Sequence, residues 1–127
     1  PGSQTALYVN QDKRNQRIMT NVVVVKRNNS IISVECDGHT GYGVEGEDVV
    51  CAALSSIVQT ALLGLLQVVG VKVDFKVDDK KGYLKMSVPE DMDLRTRREC
   101  DIVLDTMLLG VADLNQGFSD FVNLEVK

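Results

Sequence analysis

The sequence lacks several features that would assign it to a common functional class. It has no tryptophan and only one histidine, His39, so imidazole chemistry can come from a single position. Its three cysteines are an odd number, and with no secretory signal ahead of them we expect reduced thiols in the cytoplasm. The net charge of -4 at pH 7 gives no basic excess, so we predict no direct nucleic-acid partner.

The sequence pattern also gives no support for a metal or a cofactor. No two of the three cysteines and the histidine show the short spacing of a zinc knuckle. The segment 41–46 matches the dinucleotide fingerprint, with a glycine at its first, third and sixth positions. However, the carboxylates of Glu45, Glu47 and Asp48 would repel a pyrophosphate there. We therefore predict neither a metal nor a cofactor.

Charged residues are absent from Val49 to Val71, a run long enough to suggest a transmembrane helix. Within it, Ser56, Gln59, Thr60 and Gln67 form a polar stripe that a lipid-facing helix would not carry. We therefore predict no membrane partner. An uncharged polar stripe fits either a subunit interface or a solvated face.

The remaining pattern predicts one α+β domain over residues 19–127, because 127 residues can bury one ordinary core. Residues 1–18 are polar and begin like a cloning scar, so we interpret them as an appended extension or linker. The expected order is ββαββαβ, a mixed or antiparallel sheet of about five strands with two helices packed on it. The expected elements are strands at 21–26, 31–36, 71–77, 83–88 and 118–126, and helices at 48–69 and 94–114.

Cys51 is predicted near the start of the first helix, where Asp48 is a favoured N-cap. A sulfur there lies close to unpaired N–H groups and the positive end of the helix dipole. Backbone N–H groups of Cys51 and Ala52 are candidates for an oxyanion hole. The helix end supplies at most ~2 kcal/mol, too little alone to ionise a thiol whose usual pKa is ~8.5. An imidazole partner is therefore needed, and His39 is the one available. The alternative is that Cys51, like Cys36 and Cys100, is a small buried hydrophobe.

The loop between these two residues is rich in glycine. Gly41, Gly43 and Gly46 would allow it to close over an extended peptide, although they also fit a loop with no gating role. Two carboxylates, Asp37 and Asp48, are candidates to orient His39. Ser55 follows Cys51 by one helical turn and is predicted to support the site.

The segments Asp37-Gly38-His39 and Asp48-Val49-Val50-Cys51-Ala52, with Gly46 and Ser55, resemble the motif of the bacterial ribosomal-processing cysteine protease Prp family. The resemblance implies a catalytic pair of His39 and Cys51, with Asp48 and Ser55 at the aspartate and serine of the motif. It also implies a homodimer that removes an N-terminal extension from large-subunit ribosomal protein twenty-seven, next to paired phenylalanines. One departure is Thr40, where alanine is frequent in the family.

We therefore predict a cysteine endopeptidase. The main alternative is a non-catalytic ribosome-assembly binding module with a buried Cys51. An acyl transferase would use the same pair on a thioester. A thiol–disulfide oxidoreductase is disfavoured because no second cysteine lies two residues along from Cys51.

Overall fold

The structure is a computed structural model that describes residues 19–38 and 47–127, with residues 47 and 48 described by their backbone alone. The described elements confirm the predicted α+β class and the order ββαββαβ. They are β1 (Thr20–Arg27), β2 (Ser30–Asp37), α1 (Glu47–Leu63), a π-helical segment (Gly64–Val69), β3 (Asp74–Asp78), β4 (Tyr83–Ser87), α2 (Leu94–Gly117) and β5 (Val122–Val126).

The five strands form one mixed sheet in the order β3-β4-β2-β1-β5. All neighbours are antiparallel except β1 and β5, which run parallel with Thr20 beside Val122. The β1–β2 hairpin turns at Asn28 and Asn29, whose φ angles of 53° and 70° lie in the left-handed region. Asparagine tolerates that region better than most residues, so this dipeptide forms the tight hairpin turn.

The hydrophobic core lies between one face of the sheet and the two helices. Strand alternation turns Val22 and Val24 of β1 and Leu84 and Met86 of β4 to this face. The helices contribute residues at three- and four-residue spacing, which places them on one side. The buried helical residues are Val50, Leu54, Val58, Ala61, Leu62 and Leu65 on the first helix, and Cys100, Leu104, Met107 and Val111 on the second.

The long uncharged helix explains why the sequence suggested a membrane span. It spans 21 residues from Val49 to Val69 and contains an 18-residue stretch with a mean hydropathy of 2.1, so by length and composition it could cross a bilayer. In the structure one side of this helix packs into the core, with Val58 and Leu65 almost fully buried. A core helix therefore accounts for the composition, and the expected absence of a membrane partner stays a prediction.

Several element boundaries differ from the predicted ones for local reasons. The helical chain ends at Gly70 in the left-handed conformation, and the Val71 N–H still bonds to the Leu65 carbonyl, so β3 begins only at Asp74. The second helix extends to Gly117. A turn then follows in which the Phe121 N–H bonds to the Phe118 carbonyl, and this delays β5.

Candidate active site

Cys51 lies in the N-terminal part of α1, beside the start of β1 and the end of β2. Its side chain is half-buried, and its Sγ lies 3.6 Å from the Thr20 hydroxyl oxygen. The helix begins at Glu47, one residue earlier than predicted, so Asp48 lies in its first turn and not at its N-cap. Cys51 is therefore the fifth helical residue. The N–H groups of Cys51 and Ala52 have helical acceptors available in the carbonyls of residues 47 and 48, which weakens the support for their oxyanion role.

A cleft of about 270 Å³ opens in front of Cys51 between α1 and the β3–β4 hairpin. Its apolar wall is formed by Leu54 and Val58 of the helix and by Val77 and Leu84 of the hairpin strands. Its polar lining includes Ser55, Gln59 and Asp79. The thiol therefore lies at a concave surface that a substrate can reach, which argues against the alternative of a fully buried Cys51.

Gly38 carries the chain out of β2 along the backbone of β1. Its φ of +113° is a conformation that residues with side chains rarely adopt. A Cβ atom at this position would lie only 2.5 Å from the Met19 carbonyl oxygen. The Gly38 carbonyl accepts a hydrogen bond from the Thr20 hydroxyl, with an Oγ1···O distance of 2.6 Å. The close packing of Gly38 on the backbone of Met19 explains why the motif has glycine next to His39.

The other predicted site residues are placed less completely. His39 and the loop glycines 41, 43 and 46 lie outside the described residues. The side chain of Asp48 also lies outside the described part. Ser55 is exposed and lines the cleft with Cys51, as its predicted supporting role requires.

Asp37 lies on the opposite face of the sheet from Cys51. It is exposed at the end of β2, it is paired with Tyr83, and the preceding residue, Cys36, faces the core. Successive side chains on a strand point to opposite faces. This placement lowers the support for Asp37 as the group that orients His39.

A model of the family described as cysteine protease Prp matches residues 19–123, which include the whole motif. The chain belongs to this family. Among its relatives, the ribosomal processing cysteine protease Prp of Bacillus subtilis is 25% identical over 96 residues, which are 76% of this chain and 84% of that protein. A Staphylococcus aureus protein of the same name is 24% identical over 106 residues, or 83% and 95% of the two chains.

Solved structures agree with the Prp fold. A Streptococcus mutans crystal structure gives a TM-score of 0.79 at 25% identity, covering 88% of this chain and 97% of the other. The S. aureus protease Prp in complex with a substrate peptide gives a TM-score of 0.75 at 21% identity, covering 86% of this chain and all of that one.

The two other cysteines of this Prp-family chain are core residues, as predicted. Burial raises the pKa of the Cys36 thiol to about 12, and the nearby Glu35 charge adds to the effect. Burial also raises the pKa of the Cys100 thiol, although Arg97 opposes the shift. Both groups therefore stay protonated near neutral pH. Among the described residues, no group of three or more His, Cys, Asp or Glu side chains could hold a metal ion.

Sequence reasoning missed Thr20, the one buried polar residue among those that the structure describes. The sequence pattern of β1 could have identified Thr20 as a buried polar residue. Thr20 shares the strand alternation of Val22 and Val24, so its hydroxyl had to enter the core face and find a partner there.

Proposed function

We propose that this Prp-family chain is a cysteine endopeptidase that removes an N-terminal extension from large-subunit ribosomal protein twenty-seven. The observation that carries the proposal is the half-buried Cys51 at the cleft, in a chain of a cysteine protease family. The names of the relatives support the same processing role, because both are ribosomal processing proteases. We propose cytoplasmic action, where the thiol stays reduced.

In the proposed reaction, the Cys51 thiolate attacks the scissile carbonyl carbon after its proton has moved to His39. The tetrahedral intermediate collapses when His39 protonates the leaving amine, which leaves the acyl group on Cys51 as a thioester. His39 then takes a proton from water, and the resulting hydroxide equivalent releases the new carboxylate and restores the thiol. The buried Cys36 and Cys100 cannot replace Cys51 as nucleophile because burial keeps their thiols protonated.

The cleft supports an extended peptide as the substrate. It runs beside β3, which is an edge strand of the sheet, and peptides commonly bind such edges through main-chain hydrogen bonds. Its wall of Leu54, Val58, Val77 and Leu84 is suited to apolar side chains. A phenylalanine pair next to the cut, as the family resemblance implies, would supply them.

We also propose that the protein is a homodimer. From Val49 to Val69 the helical chain carries no charged residue, and large apolar side chains are exposed along it, including Leu63 at 52% and Val68 at 84%. Ser56, Gln59 and Thr60 are exposed beside them. An uncharged face of this kind is typical of the buried part of a subunit interface.

The test incubates the protein with a peptide that spans the N-terminal extension and its cleavage site, and reads the products by mass. We expect a single cut with the wild type and none with Cys51→Ser. Cys100→Ala is the matched control, because Cys100 is buried on α2 and does not line the cleft. An intact peptide with the wild type, or equal cutting by Cys51→Ser, would contradict the proposal.

A further inference from the structure

The hydroxyl of Thr20 connects two segments that are far apart in the sequence. It donates to the Gly38 carbonyl at 2.6 Å, and it also lies 3.6 Å from the Cys51 sulfur. The first bond spans 18 positions and the second spans 31. One small side chain therefore touches both the thiol and the strand end that leads into the histidine of the motif.

The direction of the hydrogen bond to Gly38 follows from the number of protons. A threonine hydroxyl has one proton, and a carbonyl oxygen can only accept, so Thr20 donates to Gly38. Oγ1 keeps its lone pairs, which can accept a proton from the Cys51 thiol across the 3.6 Å contact. The hydroxyl thus contacts the sulfur while it holds the Gly38 carbonyl.

The Gly38 carbonyl belongs to the residue that precedes His39 in the chain. Gly38 is packed closely on β1, where a Cβ atom would be 3.2 Å from the Thr20 Cα. The hydrogen bond from Thr20 and this close packing together leave Gly38 little freedom.

Thr20 itself is held by the sheet. Its N–H bonds to the Phe121 carbonyl at 2.9 Å, and β5 runs parallel beside it with Val122 as its partner. Its side chain is only 5% exposed, so it has no alternative partner in bulk water. The position of the hydroxyl is therefore set by the pairing of β1 with β5 and not by solvent.

We propose that Thr20 is a positioning residue that holds the Cys51 thiol and the Gly38 carbonyl in register for catalysis. This inference rests on the proposed protease function. Thr20 lines the cleft, and in this role it acts through its contacts with Cys51 and Gly38. Loss of its hydroxyl would let the thiol and Gly38 move independently, and misplacement of reacting groups by about 1 Å can lower a rate about 100-fold.

The experiment compares Thr20→Val, which removes the hydroxyl at nearly constant shape, with Thr20→Ser, which keeps it. We expect Thr20→Val to lower kcat for peptide cleavage by about tenfold or more, with KM changed less than about threefold. Thr20→Ser should stay within about threefold of wild type in both constants. Val122→Ala is the matched control, because Val122 is the buried strand partner of Thr20 but does not line the cleft.

A second readout is the rate at which iodoacetamide alkylates Cys51 without any substrate, measured below the melting temperature of each variant. We expect Thr20→Val to change this rate, because the sulfur loses its contact with the hydroxyl, with wild-type rates in Thr20→Ser and Val122→Ala. Wild-type alkylation in Thr20→Val, or an equal change in Val122→Ala, would overturn the positioning role. If the wild type cuts no peptide, the proposed function fails, and the alkylation rates still decide the role of Thr20.

Discussion

Substitution of Gly38 by alanine should lower the free energy of unfolding, because the backbone conformation at this position disfavours a Cβ atom. A φ of +113° costs a residue other than glycine about 1–3 kcal/mol of stability. The new Cβ atom would also lie 2.5 Å from the Met19 carbonyl oxygen, closer than any ordinary contact, and the obstacle is backbone that cannot rotate away. The clash adds to the conformational cost, so we expect the total loss of unfolding free energy in Gly38→Ala to lie above that range.

Gly70→Ala separates the conformational cost of a positive φ from the cost of the steric clash. Gly70 also has a positive φ, 84°, but no atom lies within 4 Å of the position of its Cβ. Gly70→Ala should therefore lower the free energy of unfolding by the conformational cost alone, about 1–2 kcal/mol. Gly117→Ala, with open space and no positive φ, should be close to neutral.

The assay is urea unfolding of the three variants and the wild type at neutral pH. The loss of unfolding free energy in Gly38→Ala minus the loss in Gly70→Ala gives the cost of the clash with the Met19 backbone. A loss no larger than that of Gly70→Ala would refute the claim that close packing on Met19 requires glycine. Peptide cleavage should also fall in Gly38→Ala and stay near wild type in Gly70→Ala, because only Gly38 adjoins the site.

Three further predictions concern ionisation and helix capping. At pH 8, iodoacetamide should modify Cys51 before Cys36 and Cys100, because burial raises the pKa of both of these thiols; equal rates by peptide mass would contradict this. The Cys36 pKa of about 12 lies above its unfolded value, so its contribution to stability is complete below about pH 9 and is lost as the pH rises towards 12. The stability advantage of wild type over Cys36→Ala should therefore shrink between pH 7.5 and 10.5, and a constant difference would be inconsistent with a buried neutral thiol. The Asp93 carboxylate caps α2 through the Thr96 N–H at 2.7 Å, which lowers the pKa of Asp93 below its usual value of 3.8. Asp93→Ala should therefore reduce the melting temperature at pH 7, and this loss should shrink as the pH falls from 3.8 through the lowered pKa. A loss that stays the same over this acid range would mean that the cap does not depend on charge.

The sequence predicted the elements well where their periodicity was strong. The β-branched runs on both sides of Asn28-Asn29 and the apolar stripe of α2 each had one natural interpretation. The start of β3 was predicted too early because Val71 continues the apolar pattern, although its N–H is used to close the helix end at Leu65. Strand pairing was harder, since nothing in the local pattern of Val122–Val126 shows that it runs parallel to β1.

The candidate site was predictable at Cys51 but not in its surroundings. A cysteine near a helix start is visible in the order of residues, and so is a serine one turn later. The contact between Thr20 and Cys51 depends instead on how β1 lies under the helix, 31 positions away in the sequence. The face occupied by Asp37 likewise depended on the strand register, and a shift of one residue would have reversed it.

The parallel pairing of β1 with β5 has a consequence for the time at which the enzyme becomes active. The backbone N–H that anchors Thr20 is bound by Phe121, about 100 positions later in the chain. Such distant contacts form late in folding because the intervening chain must first be closed into a loop. We therefore expect a nascent chain that has not yet docked β5 to contain a Cys51 helix but no ordered cleft. Refolding followed by hydrogen exchange and by peptide cleavage would test this order. Cleavage activity that precedes protection of the β5 amides would show that the C-terminal strand does not control maturation of the site.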